Sequence, residues 1–142
     1  MAAIDQALVS KILNATTPTG AAGIPGTYTA LSATAMKIRL NSTVSTAAAA
    51  GTEITSGGGY TTGGSAITAA STASTAGSAV TLPAAALTWT NSSGSAWSIA
   101  SFDLTDGAGV RAWWAPFTGQ PITVANGNTF QIAIGGISIS LT

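Results

Sequence analysis

From Met36 to Leu141 apolar side chains recur at every second position, in short runs broken by Gly, Asn and Ser. Successive side chains of a strand point to opposite faces, so a period of two commits most of this chain to strands. "MKIRL" sets Met36, Ile38 and Leu40 against Lys37 and Arg39, the pattern of a strand with one wet face. "LTWT" (87–90) reads as another strand, ended by "NSSGS". "AWSIASFDL" puts Trp97 and Ile99 on one face and Ala100, Phe102 and Leu104 on the other, which requires cover on both sides. Near the end, Phe130, Ile132 and Ile134 hold even positions while Ile137, Ile139 and Leu141 hold odd ones. Gly135-Gly136 has to absorb that slip as a bulge or bend.

Turn chemistry divides these runs. Asp106-Gly107 predicts a turn between "SFDL" and "VRAWWAPF", and Asn126-Gly127 a hairpin turn between "PITVA" and "TFQIAI". "SGGGY" breaks the chain at Gly57, Gly58 and Gly59. The Ser/Thr-rich stretch 60–81 disfavours helix despite its alanines, and "TAGS" (75–78) reads as a turn between two strands of small residues. The expectation is an all-β domain of roughly eight or nine short strands over residues 31–142, a β-sandwich or jelly-roll-like architecture.

The first 30 residues differ. Ile4, Leu8 and Ile12, flanked by Val9 and Leu13, follow the helical spacing, with Asp5 near the start and Lys11 near the end, where each suits the helix dipole. A helix over residues 3–14 is marginal alone and must dock on something. "TTPTGAAGIPGTY" then reads as a Pro/Gly linker, making residues 1–30 a docking arm.

Composition narrows function. Only 6% of residues are charged and the formal net charge is zero, against about 25% charged in ordinary soluble domains. Without clustered Lys and Arg there is no footprint for nucleic acid. Low charge also removes the repulsion that keeps small proteins apart, so the chain is expected to work in an assembly. No segment has the roughly 20 apolar residues of a membrane span, and Asp5 and Lys11 interrupt any signal-like apolar core, so folding in a cytoplasm is expected.

The chain holds no Cys and no His. Thiolate metal sites and triads with a His base are therefore impossible, and neither a cofactor nor a metal is expected. Asp103 and Asp106 are the one close carboxylate pair, but they flank a turn and serve it better than they would a glycosidase. "DLTDG" has too few oxygen ligands for a calcium loop, and "GGGY" and "DGAG" lack the Lys-Ser/Thr of a phosphate loop. Arg111 is placed to pair with Asp103 across a hairpin. Trp113 and Trp114, adjacent in one strand, must face opposite ways, one inward and one outward. With Phe117 they are the expected contact residues, for subunits or, by stacking, for glycan.

The order of elements also resembles a family of tailed-phage virion proteins, frequent in phages of actinobacteria and variously labelled tail fiber, minor capsid or capsid decoration proteins. The matching pieces are Gly51-Thr52-Glu53 with Gly57 to Tyr60, and the closing "PITVANGNTFQIAIGGISISLT". The Ala/Ser/Thr-rich middle and the low charge depart from the family pattern. The resemblance implies a non-enzymatic capsid decoration or minor capsid protein on the phage head. Its partners would be the major capsid protein and copies of itself, with a trimer favoured. The alternative is a tail or head fiber touching the host surface.

Overall fold

A computed structural model describes residues 3–4, 36–68 and 80–139. Its strands, all paired antiparallel, are β1 (Ala3–Ile4), β2 (Lys37–Asn41), β3 (Ser65–Ala66), β4 (Val80–Leu82), β5 (Leu87–Thr90), β6 (Trp97–Ile99), β7 (Ser101–Thr105), β8 (Arg111–Pro116), β9 (Ile122–Val124), β10 (Thr129–Ile132) and β11 (Ile137–Ile139). No helix occurs among the described residues, and so none long and apolar enough to cross a membrane. Over the described residues the all-β expectation is met. Ala3 and Ile4, the first residues of the expected helix, have extended backbone; the rest of that helix, the Pro/Gly linker, the turn at 75–78 and Leu141 lie outside the described residues.

Strands β4 to β11 pair in a nested order: β4 with β11, β5 with β10, β6 with β9 and β7 with β8. This is one long hairpin ribbon, closed at the β7–β8 loop and bent at corners where both of its strands turn together. At the first corner Gly135, with φ of 67°, donates its N–H to Pro83 O at 3.0 Å. At the second, Asn91 N donates to Asn128 O and Gly127 N to Asn91 O, at 2.8 and 2.6 Å. The Asn91 side chain donates to Ser95 O and Val124 O, both at 2.8 Å, so one amide stitches the inner and outer turns together. At the third, Phe117 N donates to Ala100 O at 3.0 Å.

These corners correct three sequence expectations. Asn126-Gly127 does not close a hairpin, because β9 pairs with β6 and β10 with β5. Gly135-Gly136 is a turn between two sheets rather than a bulge within a strand, and Ile134 is left 65% exposed. "AWSIASFDL" is two strands meeting at Ala100, which explains why its apolar parity changes there. The Asp106-Gly107 turn does join β7 to β8, but as a wider loop: Asp106 Oδ1 accepts from Ala108 N and Val110 N, and Gly109 takes the positive φ.

The larger sheet runs β1-β8-β7-β2-β3. One apolar core draws on all four sheets, with Ile38, Leu40, Ile99 and Leu104 fully buried. An aromatic chain crosses it, from Trp97 to Tyr60 to Trp89 to Phe130 to Phe117 to Phe102, with centroid spacings of 5.4 to 6.3 Å. Edge-to-face and offset contacts at such spacing add to burial.

Candidate functional site

Strand β8 brings the sequence-predicted residues to one edge of the larger sheet. Register places Ile38, Leu104, Trp113 and Ile4 in one row across β2, β7, β8 and β1, and Arg39, Asp103, Trp114 and Ala3 in the next. Alternation therefore sends the two tryptophans to opposite faces. Trp113 packs against the apolar core, whereas Trp114 shares the face of Asp103 and lies outside the core; both are half-buried. Both indole N–H groups are covered and have no hydrogen-bond acceptor. Phe117 belongs to the core rim, 5.4 Å from the rings of both Phe102 and Phe130. It also lines, with Ala115, Ile132 and Ile137, a shallow cleft of about 220 Å³. Of the expected arm residues, only the backbone of Ile4 is described, and it meets Trp113; Leu8, Val9, Ile12 and Leu13 lie outside the described residues.

A bulge at Ala112 decides the electrostatics. Leu104 stands opposite Trp113 but Thr105 opposite Arg111, leaving Ala112 unmatched. Without the extra residue Arg111 would share the face of Trp113; with it, Arg111 turns to the face of Asp103. The fully buried Asp103 carboxylate lies 2.9 Å from Arg39 Nη2 and 3.9 Å from Arg111 Nη1. Its Oδ1 accepts from Ser45 Oγ at 2.6 Å, and Ser45 Oγ accepts in turn from Gly51 N and Asn41 Nδ2. Arg111 also donates to the carbonyls of Thr46, Ala47 and Ala49.

This network pins the 42–51 loop over the sheet. On the second face of "MKIRL" Lys37 and Arg39 are half-buried, while beside them Asn41, Ser101, Asp103 and Thr105 are fully buried. Closure is incomplete, since Asn41 Oδ1, Thr105 Oγ1 and Arg39 Nε are buried without partners. The Arg111–Asp103 pairing read from the sequence is present, joined by Arg39 and Ser45. Asp103 is thereby committed to internal partners, while Asp106 caps its own loop.

Sequence reasoning missed the role of Tyr60 and Glu53. The buried Tyr60 hydroxyl donates to Glu53 Oε1 at 2.5 Å and accepts from Leu40 N at 3.0 Å, while Glu53 Oε1 also accepts from Gly63 N. Burial first, then the hydrogen bond to Glu53, hold this hydroxyl's pKa well above the ordinary tyrosine value. The spacing from Glu53 to Tyr60 through three glycines is the available signal. It lets the chain fold back so that the ring enters the core while its oxygen takes the Leu40 N–H, beyond the reach of β3. Gly64, with φ of 86°, completes the return, and a Cβ there would stand 2.5 Å from Ile38 O.

Comparison with protein-family models, curated proteins and solved structures finds no match for this chain.

Proposed function

We propose that this chain is a non-enzymatic structural protein of a tailed-phage virion, a capsid decoration or minor capsid protein that binds the head shell in many copies. The observation that carries the reading is the nested ribbon β4 to β11, the pairing scheme of a jelly roll. Jelly rolls are a recurrent architecture of viral capsid and lectin domains, and this analogy of fold joins the resemblance in sequence.

The surface supports it. Of the six charged residues described, Arg39, Glu53, Asp103, Asp106 and Arg111 all make internal bonds, leaving Lys37. An exterior so poor in charge suits burial against copies or a shell better than solitary life in water. Apolar burial at such contacts contributes about 25 cal/mol per Å². Bound copies then stabilise the shell by mass action. The β-domain would form the protruding body, and the arm of residues 1–30, with Ile4, Leu8, Val9, Ile12 and Leu13, would reach the shell or a neighbour. Assembly would take place in the host cytoplasm.

The test is size-exclusion chromatography with light scattering, followed by mixing with undecorated shells. Saturable binding at a stoichiometry matching shell symmetry, with a trimer expected, is the predicted result. A species that ignores shells overturns the proposal. The half-buried Trp114, outside the core, favours a second reading, a tail or head fiber that stacks on host glycan. Quenching or shift of tryptophan fluorescence on titration with host-envelope saccharides would support that reading, and a Trp114→Ala variant should abolish it.

A further inference from the structure

Of the chain's five asparagines, only Asn126 precedes a glycine. Asparagine before glycine is the pair most prone to deamidate, because the following residue has no side chain to obstruct attack by its backbone nitrogen on the asparagine side chain. Asn126 and Gly127 are both exposed, so water is at hand to complete the reaction. We infer that Asn126 is a conditional modification site. The folded corner between β9 and β10 blocks its deamidation, an opened or unfolded chain permits it, and the isoaspartyl product cannot rebuild the corner.

The chemistry needs only water. Gly127 N attacks Asn126 Cγ, forming a new C–N bond; the bond from Cγ to the amide nitrogen breaks, and that nitrogen leaves as ammonia, taking the proton that Gly127 N gives up. Water then opens the resulting five-membered imide at one of its two carbonyls. Opening at the Cγ carbonyl gives aspartate. Opening at the main-chain carbonyl gives isoaspartate, whose backbone runs through the former side chain and is one carbon longer.

The corner opposes ring closure at each partner. Asn128 N donates to Ala125 O at 3.0 Å, and with φ of 89° at Gly127 and no positive φ at Asn126 this is a type II turn. Such a turn holds ψ of its first central residue at about +120°, far from the arrangement in which Cβ and the next nitrogen eclipse and the ring can close. Gly127 N–H is engaged with Asn91 O at 2.6 Å, so attack gives up that bond. Asn126 Oδ1 accepts from Gly94 N at 3.0 Å, which holds the carboxamide against the inner turn rather than over its own backbone. The inner turn is anchored in its own right, because the fully buried Asn91 amide donates to Ser95 O and Val124 O. The corner must therefore open before the imide can form.

The two products affect the corner differently. Aspartate keeps an oxygen for Gly94 N and an unaltered backbone. Isoaspartate inserts a carbon between Ala125 and Asn128, which parts the turn's own hydrogen bond and moves Gly127 N off Asn91 O. Buried polar groups that lose their partners destabilise the fold, and here the inner and outer turns lose theirs together. A chain that stays unfolded too long thus forfeits the corner, whereas a folded one preserves it. None of this depends on the virion reading.

The test holds the full chain at mildly alkaline pH, folded in buffer and unfolded in urea, and follows each asparagine by peptide mapping with mass spectrometry. In urea Asn126 should convert first. In the folded chain its conversion should be slower by more than about tenfold, since only molecules with an open corner react. Equal rates in the two conditions overturn the inference. The aged, unfolded sample is then diluted from urea and fractionated by size exclusion. Isoaspartate at position 126, scored by isoaspartyl methylation, should be depleted from the refolded fraction while aspartate is retained there, and an Asn126→Asp variant should refold with an unchanged thermal midpoint. Isoaspartate refolding in the same proportion as aspartate, or an Asn126→Asp variant that does not refold, overturns the assignment of the damage to backbone lengthening.

Discussion

On one face of the larger sheet, Ile38, Leu40, Phe102 and Leu104 are sealed by apolar side chains from the other three sheets. On the other, Asn41, Ser101, Asp103 and Thr105 are buried and Arg39 is half-buried, with the 42–51 loop held over them through Ser45 and Arg111. The first is held by dispersion and the hydrophobic effect and the second by ion pairs and hydrogen bonds. The difference lies in how each fails. An apolar face loses stability in proportion to the volume removed, whereas a polar face loses more when one partner is taken away and its mates stay buried.

The largest effect should follow from the polar side. Asp103→Ala removes the buried carboxylate that Arg39 and Ser45 bond, and breaking a buried pair in this way typically costs about 3–5 kcal/mol, with the part-exposed Arg39 placing this case at the low end. Urea unfolding measures it, and a loss below about 1 kcal/mol would mean that the network, incomplete as it is at Asn41 Oδ1 and Thr105 Oγ1, holds little. Leu104→Ala on the opposite face should cost about 3 kcal/mol, through lost transfer energy plus a residual cavity. Comparing the two midpoints ranks the faces directly.

Arg111→Met separates the loop from the sheet. It keeps the closer Arg39–Asp103 pair at 2.9 Å and deletes the bonds to the carbonyls of Thr46, Ala47 and Ala49. The expected cost is about 2 kcal/mol, in the range of hydrogen bonds to charged groups. Hydrogen exchange should quicken at Gly51 and Ala49 before it does in β2 or β7. Uniform loosening of the whole sheet would instead mean that loop and sheet open as one unit.

What could be read in advance divides along the same line. Period-two alternation identified Ile38, Leu40, Trp97, Ile99, Phe102 and Leu104 as core, because burial of an apolar face leaves its mark residue by residue. The polar face leaves no such mark: Ser45, Asn41 and Thr105 look like surface residues until the fold brings a loop over them. The ribbon corners were likewise hidden. Asn126-Gly127 signals a reversal, but a reversal between sheets and a hairpin within one use the same turn residues, and only long-range pairing, such as that of Asn91 with Asn128, tells them apart. At the candidate site, the opposed placement of Trp113 and Trp114 was legible from strand geometry alone. The bulge at Ala112 that turns Arg111 was not, since it depends on the register of β7.

Tyr60 belongs to both regimes, its ring between Trp89 and Trp97 and its hydroxyl bonded to Leu40 N and Glu53. Tyr60→Phe keeps the packing and deletes only the polar tip, so its cost should be the smallest of the four, about 1 kcal/mol. Its pH dependence is the sharper signature. The folded-state pKa of this hydroxyl is raised above the unfolded value of 10.0. Below pH 10 both states hold the proton and stability is full; above it the unfolded chain ionises first, so stability falls as pH rises toward the folded-state pKa. Thermal unfolding from pH 8 upward should therefore show an alkaline decline in the unmodified protein that is shallower in Tyr60→Phe by the contribution of this one group. Parallel curves for the two proteins would mean that Tyr60 ionises as freely folded as unfolded, and that the Glu53 bond does not hold its proton.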